Sequence, residues 1–167
     1  MSVVAVRNYK DKIIIGADSQ VTRGAHLKEN LTKLFIDEKT YIWGTAGSAS
    51  EMISYQIFLK TRHPASSELK DIREHFIEFI AFMSEMDGVL DMQNDYILIF
   101  DNKVFLVQSD LFIREIVEGG FESIGIGWQQ ANMGFYLGHN VEETLNAVCN
   151  LDIYCGLPLL LKEIKKD

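Results

Sequence analysis

The chain has 167 residues, 47% of them hydrophobic, enough for one well-buried core and too few for two ordinary domains, so a single domain over 1–167 is expected. Its 24 acidic and 16 basic residues leave a net charge of −8, which repels a phosphate backbone, and no basic run is interleaved with aromatics, so nucleic acid is excluded as a partner. The start, Met-Ser-Val-Val-Ala-Val-Arg, lacks the charged and apolar regions of a signal peptide, and no apolar run approaches the roughly 20 residues that span a bilayer; a soluble cytoplasmic protein with no membrane partner is expected.

In chain order, residues 3–7 and 12–17 are short β-branched runs around a polar turn and read as a hairpin. Ile13, Ile14 and Ile15 in succession predict burial on both faces of its second strand. Residues 31–36 and 40–46 repeat the pattern around Asp37, Glu38 and Lys39, so two adjacent hairpins begin the chain and a sheet comes first. At Ser48 the period changes from two to 3.6. Ser48 and Glu51 have the S-x-x-E spacing of a capping box, and a helix runs to about Arg62, ahead of Pro64. Leu69, Ile72, Phe76, Phe79, Ile80 and Met83 recur at helical intervals and predict a second helix over 67–85, with a core-facing stripe. Strands over 96–100, 104–108 and 112–117, with a tight turn at Asp101-Asn102, form a second sheet. A short strand over 123–126 follows Gly119-Gly120, then a helix over 129–137. A helix from Asn140 to about Asn150 has Glu143 at capping-box spacing, and residues 157–164 close the chain as a strand. Two packed antiparallel sheets with helix pairs on both outer faces satisfy this order, although periodicity alone does not choose them over other α+β folds.

Individual residues make that choice. Ser2-Val3-Val4-Ala5-Val6, Ile15-Gly16-Ala17-Asp18-Ser19-Gln20-Val21-Thr22 with Gly24 following, Lys33-Leu34-Phe35 and Trp43-Gly44-Thr45-Ala46-Gly47-Ser48-Ala49 stand in order along the first third of the chain. Ser123-Ile124-Gly125-Ile126-Gly127 and Asp152-Ile153-Tyr154-Cys155-Gly156 follow in the last third. Together these segments resemble the proteasome β-subunit and bacterial proteasome-related ATP-dependent peptidase family, within the N-terminal-nucleophile hydrolases. The resemblance implies a four-layer α/β/β/α sandwich of two antiparallel sheets.

It also implies a threonine-type endopeptidase chemistry, here with a serine. Met1 ahead of a small residue is normally trimmed, and Ser2 would then carry both a nucleophilic hydroxyl and an α-amine of reference pKa about 7.7–8.0 as its own base. Lys33 would place a positive charge beside that hydroxyl and amine, and Asp18 would hold Lys33 by a charge-assisted hydrogen bond, both residues lying in apolar strands. Gly47 would donate its backbone N–H to the oxyanion, aided by the start of the helix that follows. Asp152 and Cys155 would support the site. The resemblance further implies peptide or unfolded protein as substrate and a homo-oligomeric ring enclosing the site, with an ATP-dependent unfoldase as the corresponding partner, although the chain has no ATP motif of its own.

Two positions depart from the family pattern. Ile126 replaces the serine of a G-S-G segment and cannot relay a proton, and Ser123 is not expected to replace it. Cys155 replaces the serine of a D-x-x-S-G segment, and a thiol is the weaker hydrogen-bonding group. These departures keep open a noncatalytic assembly or scaffold subunit, and an amidase acting on a small molecule is a third reading. Cys149 and Cys155 offer neither a disulfide framework nor zinc spacing and are expected to be packing thiols. His26, His63, His75 and His139 form no metal-binding motif, so neither metal nor cofactor is expected and all four are assigned to the surface or to helix ends. Trp128 is expected to pack the helix that follows it.

Overall fold

The computed structural model describes residues 2–23, 27–36 and 41–166. Strand β1 (Val3–Asn8) pairs antiparallel with β2 (Lys12–Asp18), Val4 opposite Ala17 and Asn8 opposite Ile13, and the turn closes where Tyr9 N donates to Lys12 O at 2.8 Å. Val3 and Ala5 face one way, Val4 and Val6 the other, and all four are fully buried. That two-sided burial is why β1 shows no polar alternation. A four-residue pair, β3 (Gln20–Arg23) and β4 (Leu27–Asn30), forms a separate ladder that the sequence reading did not anticipate. Gly24 and His26 lie outside the described residues.

Strand β5 (Leu34–Ile36) pairs with β6 (Ile42–Ala46), so the strand expected from residue 31 begins only at Leu34. The turn expected at Asp37, Glu38 and Lys39, with Thr40 after it, lies outside the described residues. The two leading hairpins do not share a sheet, contrary to the sequence reading. The first lies in a four-stranded antiparallel sheet completed by β10 (Phe121–Gly125) and β11 (Leu159–Lys165), in the order β10-β1-β2-β11. The second joins β7 (Asp95–Phe100), β8 (Lys103–Val107) and β9 (Ile113–Glu115) in the order β5-β6-β7-β8-β9. The physical reason sits at Gly44: a Cβ there would lie 2.6 Å from Val4 Cγ1, so β6 lies face to face with β1 and not beside it. The turn between β7 and β8 uses Asp101 and Asn102 at φ +50° and +60°, the left-handed pair that a two-residue hairpin requires.

Helices α1 (Ala49–Leu59) and α2 (Leu69–Asp87) cover the outer face of the five-stranded sheet over a core rich in Trp43, Tyr55, Phe76, Phe79, Tyr96 and Phe105. Helices α3 (Trp128–Tyr136) and α4 (Val141–Leu151) cover the four-stranded sheet through Ala131, Phe135, Leu145 and Val148. Val4, Val6, Ile13, Ile15, Ile97, Val104 and Ile124 fill the space between the sheets. The result is the expected α/β/β/α sandwich.

His75 corrects the expectation of a surface role. It follows Ile72 and precedes Phe79 on the core face of α2, is 3% exposed, and lies with Nε2 3.0 Å from the Tyr55 hydroxyl. Burial lowers its pKa to about 3, so the ring is neutral. Among the described residues no helix is long and apolar enough to cross a membrane.

Candidate active site

One end of the sandwich gathers the start of β1, the ends of β2, β6, β8 and β10, and the first residue of β7. Ser2, Lys33, Thr45 and Gly47 line a small cavity there of about 40 Å³, together with Met52 and Asn94. Ser2 is 5% exposed and precedes Val3, whose N–H donates to Asp18 Oδ1 at 2.9 Å. The chain start is therefore tied to the acid at the end of β2.

Asp18 is fully buried and its carboxylate is saturated with donors. Oδ1 also accepts from Lys33 Nζ at 2.8 Å, and Oδ2 accepts from the backbone N–H groups of Gln20 and Gly156, each at 3.1 Å. Such a set of donors is what permits a charge at zero exposure. Lys33, 2% exposed, also donates to the Gln20 carbonyl. Burial pulls its pKa below the ordinary lysine value, and the Asp18 charge offsets part of that shift. Lys33 precedes β5 and does not lie within a strand, a correction to the sequence reading; its carbonyl accepts from Thr45 N at 3.1 Å, which docks the segment on β6.

Gly47 has φ +143°, and a Cβ there would overlap Asn94 Oδ1, lying 2.7 Å from Asn94 Cγ and 3.0 Å from its Cα. The fully buried Asn94 brackets the turn: Oδ1 accepts from Ser48 N, and Nδ2 donates to Ser48 O at 2.9 Å and to Thr45 Oγ1 at 3.2 Å. The capping box expected of Ser48 and Glu51 does not form. The Ser48 side chain makes no cap hydrogen bond and lies 2.7 Å from the Ser50 hydroxyl. Glu51 instead accepts from Gln93 N at 2.6 Å, from Asn94 N at 3.2 Å and from the Tyr96 hydroxyl at 2.8 Å, because β7 pairs with β6 and brings these donors over the first turn of α1. Sequence reasoning missed Asn94 and the use made of Glu51, and no local pattern marks either.

Gly125, at φ +89°, packs against the Ser2 carbonyl: a Cβ would overlap that oxygen and lie 2.8 Å from the carbonyl carbon. Ile126, after it, is 44% exposed. Ser123 faces α3, its hydroxyl shared between the Trp128 carbonyl at 2.9 Å and Asn132 Oδ1 at 2.8 Å. Asp152 stands behind the site as the C-cap of α4, where Oδ1 accepts from Tyr154 N at 2.8 Å and its carbonyl from Cys155 N at 3.2 Å. This turn delivers the Gly156 N–H to Asp18. Cys155 is buried with Val3, Ala5 and Val148, and burial pushes its thiol up to about 12; Cys149 is half-buried and rises to about 11 for the same reason.

No family profile and no curated protein matches the sequence. Solved structures do match over nearly the whole chain. Thiobacillus denitrificans BPH in complex with epoxomicin is similar with a TM-score of 0.86 at 16% identity, covering 98% of each chain. HslV from Trypanosoma brucei gives 0.73 at 16% identity, covering 99% of this chain and 100% of the other. Anbu, the ancestral β-subunit from Yersinia bercovieri, gives 0.78 at 10% identity, covering 98% of this chain and 81% of the other. Identities this low carry the architecture and not the activity. The sandwich of this chain is the fold of proteasome-type N-terminal-nucleophile hydrolases.

Proposed function

We propose that the chain is a proteasome-type peptidase subunit that hydrolyses peptide bonds with the Ser2 hydroxyl once Met1 has been removed. The observation that carries this reading is the shared cavity of Ser2, Lys33 and Gly47, with the Lys33 ammonium held by the buried Asp18 carboxylate. With position 2 as the terminus, the α-amine takes the hydroxyl proton as Oγ bonds to the scissile carbonyl carbon. The carbonyl oxygen receives the displaced electron pair and is met by the Gly47 N–H at the start of α1. The amine then gives its proton to the leaving nitrogen as the C–N bond breaks, leaving an ester on Ser2. Water attacks the ester, its proton passing through the same amine to Oγ, and the acid departs. Lys33 favours the alkoxide-like state and keeps the amine neutral enough to accept a proton. Asp152 and Cys155 act at one remove, by holding the turn that presents the Gly156 N–H to Asp18.

The same reading includes unfolded polypeptide as substrate, a cytoplasmic location, a homo-oligomeric ring and an ATP-driven unfoldase as partner. Tyr136 and Leu137, 80% and 70% exposed at the end of α3, offer apolar surface to such a ring. The likeness to a BPH structure holding epoxomicin supports a direct test with a peptide epoxyketone, which reacts with an amine and hydroxyl on one residue. Protein shown by intact mass to lack Met1 is expected to carry the adduct on Ser2; an adduct elsewhere, or none, refutes the mechanism. Ser2→Ala and Lys33→Ala should each abolish turnover of a fluorogenic peptide with the oligomer intact.

A noncatalytic assembly subunit is the second reading. It is favoured by Ile126, which cannot relay a proton, and by the buried, protonated Cys155 thiol. Met1 always retained on the protein purified from its native cell would rule out the Ser2 chemistry and favour this reading.

A further inference from the structure

Two segments meet behind the Gly47 turn, the start of α1 and the residues just ahead of β7. The ladder between β6 and β7 stops at Ala46 and Asp95. Beyond that pair, among the described residues, the hydrogen bonds joining the segments run through the side chains of Glu51 and Asn94. Two side chains therefore take over where the backbone pairing ends.

Glu51 stands in the first turn of α1, only 5% exposed, where the start of a helix favours a carboxylate. Among the described residues no cation pairs with it. Its charge is met by hydrogen bonds: Oε1 accepts from Asn94 N at 3.2 Å and from the Tyr96 hydroxyl at 2.8 Å, and Oε2 accepts from Gln93 N at 2.6 Å. What Glu51 supplies is acceptor oxygens at a fixed reach from α1. Without them the buried Asn94 N–H and Tyr96 hydroxyl lose their acceptor, and the segment ahead of β7 has to shift to find another.

Asn94 carries such a shift to the site. Its Nδ2 bonds fall on Thr45 Oγ1 and Ser48 O, and its Oδ1 takes Ser48 N, so they lie on both sides of the Ala46–Gly47 peptide. That peptide holds the Gly47 N–H. The Asn94 Oδ1 also fills the place where a Cβ at position 47 would stand, so the amide and the turn cannot move independently.

We infer that Glu51 is a positioning residue for the proposed reaction: acting through Asn94, it aims the Gly47 N–H at the scissile carbonyl oxygen, by reach and not by charge. The assignment rests on the peptidase reading above.

The sequence offers a direct probe of the donor, because Ala-Gly occurs in it once, at Ala46-Gly47. Full-length protein labelled with ¹³C at alanine carbonyls and ¹⁵N at glycine gives one carbonyl-coupled amide cross-peak, that of Gly47. Glu51→Asp keeps the charge and draws the oxygens back by one methylene, so the cross-peak should shift. It should also lower kcat on a fluorogenic peptide by about 10–100-fold with KM within about twofold, since a donor used in the transition state is displaced but not lost. Glu51→Gln can keep the oxygen that serves Asn94 and Tyr96 and gives up only the bond from Gln93. Its cross-peak should stay in place and its kcat should hold within about threefold. Glu51→Met, of similar volume and with no oxygen acceptor, reads the same loss should Glu51→Asp not fold. An unmoved cross-peak in Glu51→Asp and Glu51→Met, a Glu51→Gln protein as impaired as Glu51→Asp, or a loss carried by KM overturns the assignment. If the wild type turns over nothing while the cross-peak moves in Glu51→Asp and stays in Glu51→Gln, the positioning stands and the hydrolytic mechanism falls; turnover indifferent to Glu51→Asp removes the positioning alone.

Discussion

Replacing Gly47 by alanine probes the joint between fold and site. The new Cβ would overlap Asn94 Oδ1 and approach Asn94 Cγ to 2.7 Å, at a backbone φ of +143° that side chains rarely adopt. Holding a non-glycine residue in that region costs about 1–3 kcal/mol. Displacing the amide also weakens its two bonds to Ser48, at about 1 kcal/mol each. A loss of about 3–5 kcal/mol follows, measured as a shift in urea midpoint at constant m. Asn94→Ala alone gives up the same bonds without the strain and should cost about 2–3 kcal/mol, since it strands buried partners. The double variant relieves the overlap, so it should be about 1–2 kcal/mol more stable than the sum of the two single losses. Under the proposed mechanism Gly47→Ala also lowers kcat by roughly 10²–10³, as for loss of an oxyanion donor. Additivity within about 0.5 kcal/mol would refute the idea that Asn94 sets the Gly47 conformation.

Three further expectations come from buried polar groups and helix ends. His75 has a folded pKa of about 3 against 6.5 for an unperturbed histidine, so the unfolded chain takes the proton first as pH falls; its contribution is whole above pH 6.5 and is lost between there and about 3. At pH 5 the loss is roughly 2 kcal/mol, and His75→Phe should flatten the midpoint between pH 7 and 5; an unchanged slope argues against a neutral buried ring. Asp18→Ala should be more damaging than Lys33→Met, at about 3–5 kcal/mol, because it strands a buried ammonium, whereas the carboxylate left by Lys33→Met keeps three backbone donors; equal losses by calorimetry would contradict this ranking. Asn140→Ala should cost about 1 kcal/mol and Ser48→Ala under about 0.5 kcal/mol, since only Asn140 accepts a capping bond, at 2.9 Å from Glu143 N.

The residues at the ends of strands were the legible part of the site. Ser2, Asp18 and Gly47 each fall where a period-two run starts or stops, whereas Lys33, read inside the run 31–36, was marked by its family-like segment alone and stands just ahead of the observed strand. The partition of the leading hairpins between two sheets was not legible. A sequence shows that a strand is apolar on both faces, but whether its neighbour adds at the edge or stacks on the face depends on contacts such as Val4 against Gly44. Asn94 was hidden for a related reason. Only the pairing of Ala46 with Asp95 carries the residue before β7 to the turn after β6, and nothing near position 94 announces that register.

The two capping-box spacings make the same point at the level of one hydrogen bond. Asn140 and Glu143 have the spacing and form the box, because both are exposed at the start of α4 and, among the described residues, no distant donor competes for either side chain. Ser48 and Glu51 have the spacing and do not, because Gln93, Asn94 and Tyr96 all donate to Glu51 and Asn94 takes the Ser48 N–H. The substitution has a chemical consequence at a site of this kind. A completed box would bring the Glu51 carboxylate back to the Ser48 N–H, next to the Gly47 amide, where a negative charge opposes the one that develops in acyl transfer. The neutral amide of Asn94, just ahead of β7, holds the same turn without that charge, and the Glu51 carboxylate joins the first turn of α1 to β7 and the residues before it.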